Sequence, residues 1–156
     1  MAHIEQMEVS ANECAAPEGP CIERIDVGGR DLVFTKGVES PLSTVPYHSE
    51  GPLTRWVLAE LQGQTVRKVI VHEFDSQDDS FLDYCKPHAH AHAECCILFS
   101  HGGGRLDVHF EIEGHARLVS APATVLIPAN ATHSMNYRSG QGVMIVIHLN
   151  EAGHAG

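Results

Sequence analysis

The sequence predicts an all-β fold, and three observations carry that expectation. Short apolar segments rich in β-branched residues recur along the chain, as at 65–74 and 143–149. They are separated by glycine-bearing turns at Gly28-Gly29, Gly102-Gly103-Gly104, Gly114 and Gly140-Gln141-Gly142. Between two of those turns, Leu106, Val108, Phe110 and Ile112 alternate with Arg105, Asp107, His109, Glu111 and Glu113. That period of two describes a strand with one buried and one wet face. Many short strands broken in this way indicate a sandwich or barrel.

At 156 residues the chain is long enough for one domain with a core of its own. A net charge of −10 argues against nucleic acid and against an anionic membrane surface as partners. No apolar run approaches the roughly 20 residues of a membrane-spanning helix. The start, Met1-Ala2-His3-Ile4-Glu5, lacks the basic and apolar regions of a signal peptide, so a cytoplasmic location is expected. Five cysteines, Cys14, Cys21, Cys85, Cys95 and Cys96, are unevenly spaced and read as reduced thiols.

The elements follow in order. Residues 1–28 are polar and broken by Ala15-Ala16-Pro17 and Gly19-Pro20, so they read as a loose N-terminal arm. Gly28-Gly29 turns into a short strand at 31–34, and the prolines and serines of 36–52 indicate loop. Residues 53–61 place Leu53, Trp56, Val57, Glu60 and Leu61 near helical spacing, which favours a short helix over one arm of a hairpin. Trp56 is expected in the core. The run 65–74 is a strand by its β-branched content. The aspartates of 75–83 form a solvated loop without the ligand pattern of an EF-hand.

The unusual segment is Lys86-Pro87-His88-Ala89-His90-Ala91-His92-Ala93-Glu94-Cys95-Cys96. On a strand, His88, His90, His92 and Glu94 would share one face while the alanines keep the other small. Three imidazoles and a carboxylate on one face suit a borderline divalent ion. A surface metal-scavenging tract would have the same composition, but it would not account for His133, which follows the apolar run Val125-Leu126-Ile127 and the Pro128 turn. Strands at 97–99, 106–113, 115–119, 124–127, 132–138 and 143–149 complete the barrel, and 151–156 is a tail. His109 falls on the wet face.

Together these two segments resemble the paired motifs of the cupin superfamily. His88 and His90 match the histidine pair of the first motif, and Glu94 its glutamate; if Gly102 is the motif glycine, the glutamate position falls on Cys95 instead. Pro128 and His133 match the second motif, with Asn130 in place of a glycine and Asn136 one position from the family asparagine. The resemblance spans about residues 66–149. It implies a cupin-type β-barrel, a double-stranded β-helix or jelly roll, over residues 29–150.

The resemblance also implies a metal site of His88, His90, His133 and Glu94, with His92 and Cys95 in reserve. His92 and Tyr137 are the candidates for further catalytic roles, and Met135, Tyr137 and Phe99 for the pocket. The expected cofactor is a divalent ion, Fe(II) first, with Mn, Ni or Zn as alternatives. The expected activity is a non-haem Fe(II) dioxygenase on a small organic substrate. The alternatives are a redox-neutral isomerase, lyase or cyclase, and a non-catalytic ligand-binding or sensor protein. Exposed strand edges need cover, so a homodimer is expected.

Overall fold

The computed structural model describes residues 20–26, 28–29, 31–61, 64–75 and 83–150. The arm residues 1–19, most of the acidic loop (76–82) and the tail 151–156 lie outside the described residues. Strands β1 (Cys21–Asp26) and β2 (Asp31–Lys36) form a separate antiparallel hairpin. There follow β3 (Val38–Glu39), a 3-10 turn at Leu42–Thr44, β4 (Thr54–Glu60) and β5 (Val66–Phe74). The rest of the chain forms β6 (Ala93–Ser100), β7 (Leu106–Ile112), β8 (His115–Ser120), β9 (Ala123–Ile127), β10 (His133–Gly140) and β11 (Gly142–Leu149).

Two antiparallel sheets result, one in the order β3-β4-β5-β11-β6-β9 and one in the order β10-β7-β8. The last strand, β11, inserts between β5 and β6, while β10 pairs with β7. The segment ahead of β6 joins the smaller sheet by a bridge between His88 and His133. The chain therefore passes back and forth between the sheets, which is the winding of a jelly roll. The fold is the expected all-β jelly roll.

Alternation explains why the sheets close on one another. Ile70, His72 and Phe74 of β5, Glu94, Cys96 and Leu98 of β6, and Met144 and Val146 of β11 all point inward. They meet Leu106, Val108, Phe110, Met135 and Tyr137 of the smaller sheet. Phe74 stacks on Tyr137 with ring centroids 5.3 Å apart. Each fully buried large apolar side chain among them contributes about 1.5–3 kcal/mol by leaving water. Gly142 permits the close β11–β6 approach, since a Cβ there would lie 2.1 Å from the Phe99 carbonyl oxygen. Asn130 takes the left-handed conformation, φ 62°, that its turn position requires.

Several local expectations differ from the structure. Residues 54–60 are strand β4 and not a helix, because the segment pairs with β5 along its length and with β3. Its inward residues are Arg55, Val57 and Ala59, so Trp56 lies half-buried on the other face, outside the core cluster. Residues 21–26, assigned to the loose arm, are paired in β1.

Asp107, expected on the wet face, is 1% exposed. It accepts hydrogen bonds from Ser120 Oγ at 2.6 Å and Ser139 Oγ at 2.8 Å and pairs with Arg105, and those donors replace water. Cys21 is disulfide-bonded, whereas Cys85, Cys95 and Cys96 are free. Bonding follows spatial proximity, which chain spacing does not set. The cysteines therefore no longer argue for a reducing compartment. Among the described residues no helix is long and apolar enough to cross a membrane.

Candidate metal centre

The histidine segment is not one continuous strand. Its backbone makes a bridge at His88, bends at Ala91-His92, and enters β6 only at Ala93. The bridge holds His88 beside His133 through two hydrogen bonds, His88 N to His133 O at 3.0 Å and His133 N to His88 O at 2.8 Å. Asn136 clamps the chain just upstream. Its Oδ1 accepts from Cys85 N at 2.9 Å, and its Nδ2 donates to Cys85 O at 3.1 Å. Asn130 N donates to His90 O at 2.8 Å. Backbone pairing thus brings the two distant motifs together.

The ligand atoms of His88, His90 and His133 all lie within 4.8 Å of one another, and so do those of His90, His92 and Glu94. Glu94 is 5% exposed and belongs to the inward face of β6. Its Oε1 is 2.9 Å from His90 Nε2 and 2.9 Å from His148 Nε2, and its Oε2 is 3.5 Å from His133 Nε2. His92 stacks flat on His90 with centroids 3.8 Å apart. Cys95 has the opposite parity to Glu94 and pairs with Leu126 and Ile147.

Hydrogen bonds set the tautomers. His88 Nδ1 donates to Lys86 O at 2.8 Å, His90 Nδ1 to His92 O at 2.9 Å, and His133 Nδ1 to Ala131 O at 2.9 Å. Each ring thereby presents an Nε2 lone pair, the form that binds metal. Burial alone would raise the Glu94 carboxyl. The His148 and His90 imidazoles beside it outweigh burial and hold the group well below the ordinary carboxylate range. The adjacent Glu94 carboxylate raises His90, whereas burial lowers His133. His90 Nε2, His133 Nε2 and Glu94 Oε2 are buried without a hydrogen-bond partner. Two imidazole nitrogens and one carboxylate oxygen that converge with nothing to donate to them fit a divalent cation.

The cluster opens on a cavity of about 840 Å³ lined by both sheets and the loop before β4. His48 packs edge-on against His88 at 5.2 Å, and Tyr47 stacks on His88 at 5.5 Å. Met135 lines the cavity as expected, but Tyr137 and Phe99 do not. Tyr137 is fully buried in the core with its hydroxyl donating to Gly140 O at 2.9 Å, and Phe99 is on the outer face. His109 is not among the residues grouped around the centre.

Sequence reasoning missed His148, His72, His48 and Arg55. His148 pairs directly with Glu94 across β6 and β11, and Arg55 pairs with His72 across β4 and β5. Strand parity did carry a signal, since Met144, Val146 and His148 share a face, but that signal points nowhere until the strands are paired.

No family model matches the chain, and no curated protein matches it. Among solved structures it is similar to an RmlC-like cupin from Shewanella frigidimarina, at 16% identity over 65% of this chain and 80% of that one, TM-score 0.46. It is similar to KdgF from Halomonas sp., at 16% identity over 65% and 82% of the two chains, TM-score 0.47. A predicted oxalate decarboxylase from Thermotoga maritima is similar at 12% identity over 64% and 82%, TM-score 0.49.

Proposed function

We propose that this cupin-type barrel is a divalent-metal-dependent enzyme acting on a small organic substrate, with His88, His90, His133 and Glu94 holding the ion. The reading rests on one observation: three imidazoles in the Nε2-acceptor form converge with a buried carboxylate, and His90 Nε2, His133 Nε2 and Glu94 Oε2 are left without a hydrogen-bond partner.

Within the alternatives, Fe(II) dioxygenase chemistry is our preferred reading. Imidazole and carboxylate donors suit Fe(II) or Mn(II), whereas a thiolate would favour softer metals. The thiols of Cys85, pushed up to about 11, and Cys96 are both raised by burial and stay protonated, and Cys95 has the outward parity. Iron held by this donor set would supply redox chemistry with dioxygen while leaving positions open to a chelating substrate.

The protein's own residues do the rest. Carbonyls of Lys86, His92 and Ala131 orient the three rings, and His148 fixes Glu94. Val57, Ile70, Met135 and Val146 give the cavity apolar walls that exclude water from a bound organic molecule.

The test is elemental analysis of untagged protein, followed by oxygen-electrode assays of small organic acids and alcohols with Fe(II) restored. Iron-dependent oxygen uptake supports the dioxygenase. Turnover without oxygen, sustained by Mn, Ni or Zn, replaces it with the redox-neutral reading. A ligand bound and recovered unchanged replaces it with a binding protein.

A further inference from the structure

Arg55 lies on the inward face of β4, is 6% exposed, and lines the same cavity as the metal centre. Among the described residues its side chain has no hydrogen bond and no ion pair. The carboxylate that acts on it through space is Glu60, and Glu60 is bonded to Lys68 at 3.2 Å. A guanidinium stays charged, and a buried charge without a counter-ion is unfavourable. His72, its cross-strand neighbour, cannot serve as counter-ion. It is 5% exposed, burial lowers it to about 3 so that it is neutral, and its Nδ1 has no partner.

The register gives the spacing. His72 pairs with Met144 and Glu94 pairs with His148, four residues apart on β11. At ~3.3 Å per residue that separates the two polar rows by about 13 Å of backbone. Between them lie Ile70 and Val146, opposite each other on β5 and β11, with Val57 beside Ile70 on β4. Along the cavity wall the register therefore sets the Arg55–His72 row apart from the Glu94–His148 row, with apolar residues between.

We infer that Arg55 is the receptor for a carboxylate on the substrate, so that the molecule bound is a small organic acid with a second donor group reaching the metal. This rests on the metal-centre reading. One unpaired cation matches a carboxylate, which the planar fork of arginine holds through two parallel hydrogen bonds. A phosphate dianion would need more positive charge than the cavity offers, since Lys68 is paired with Glu60.

Calorimetric titration of the metal-loaded protein with the dicarboxylates from succinate to suberate tests this, with their dimethyl esters in parallel. One chain length should bind best. Arg55→Gln should weaken it about tenfold or more with metal content unchanged, and Arg55→Lys should restore part of the loss. The diester, which has no carboxylate, should bind wild type at least as poorly as the diacid binds Arg55→Gln. Equal binding of diacid and diester by wild type overturns the inference without recourse to any variant, and so does undiminished binding by a folded Arg55→Gln. Tighter binding of a phosphomonoester of matched length overturns the carboxylate assignment. Hexanoate on metal-free protein separates the two readings. Arg55-dependent binding there supports the receptor even if the protein takes up no metal, and Arg55-independent binding counts against it.

Discussion

His133 Nε2 and Glu94 Oε2 face each other at 3.5 Å, both buried and neither hydrogen-bonded. Donation of His133 Nδ1–H to Ala131 O leaves two lone pairs opposed, and a cation between them relieves the repulsion. Replacing His88, His90 or His133 with Ala should therefore cut metal content strongly, while His109→Ala should not. Metal-loaded wild type should melt several degrees above chelator-treated protein, because a ligand at ~100 times its Kd adds about 2.7 kcal/mol. A fully loaded His90→Ala protein by elemental analysis would remove this site.

Glu94 and Cys95 make opposite predictions. Glu94 has the inward parity with two histidine nitrogens 2.9 Å from Oε1, whereas Cys95 has the other parity. Glu94→Ala should weaken metal binding and destabilise the apo protein by roughly 1–3 kcal/mol, since buried partners lose their acceptor. Cys95→Ala should leave both nearly unchanged. The reverse pattern in metal titrations would put sulfur on the metal.

His148 acts through Glu94. Its Nε2–H fixes one carboxylate oxygen from the facing strand. Losing such an orienting bond costs about 10–100-fold in metal affinity. His148→Phe should show that loss in metal titrations while the far-UV circular dichroism stays that of wild type. Unchanged affinity would reduce His148 to a lining residue.

His72 gives stability an acid limb. Burial, reinforced by the nearby Arg55 charge, lowers it from 6.5 to about 3. The unfolded chain therefore binds a proton that the folded one refuses between those two values. Stability from this group is complete above about pH 6.5 and falls as pH drops towards 3. His72→Gln should flatten the dependence of melting temperature on pH across that window. An unchanged slope would show that other groups control it.

Assembly follows from the sheet edges. β9 and β8 end the two sheets, and Leu126 and Leu118 on them are 69% and 51% exposed. Unprotected apolar edges favour pairing with a second copy. Light scattering at micromolar concentration should give the mass of a homodimer, and a strictly monomeric mass would count against it.

What the sequence determined by itself was local. The alternation over 106–112 specified which face of β7 packs inward at Leu106, Val108 and Phe110, because side-chain period is a property of the strand alone. The same locality made Asn130 readable as a turn residue and singled out His88, His90, Glu94 and His133 by spacing. Tertiary structure decided everything that depends on pairing. Residues 54–60 fit both periods over so short a run, and only hydrogen bonds to β3 and β5 select the strand. That selection turns Arg55 inward. The register of β11 against β6 places His148 on Glu94, and a slip of one residue would have sent it to the other face. Register is set between segments far apart in the chain, so the histidine motif could be read from the sequence while the residues that orient it and face it across the cavity could not.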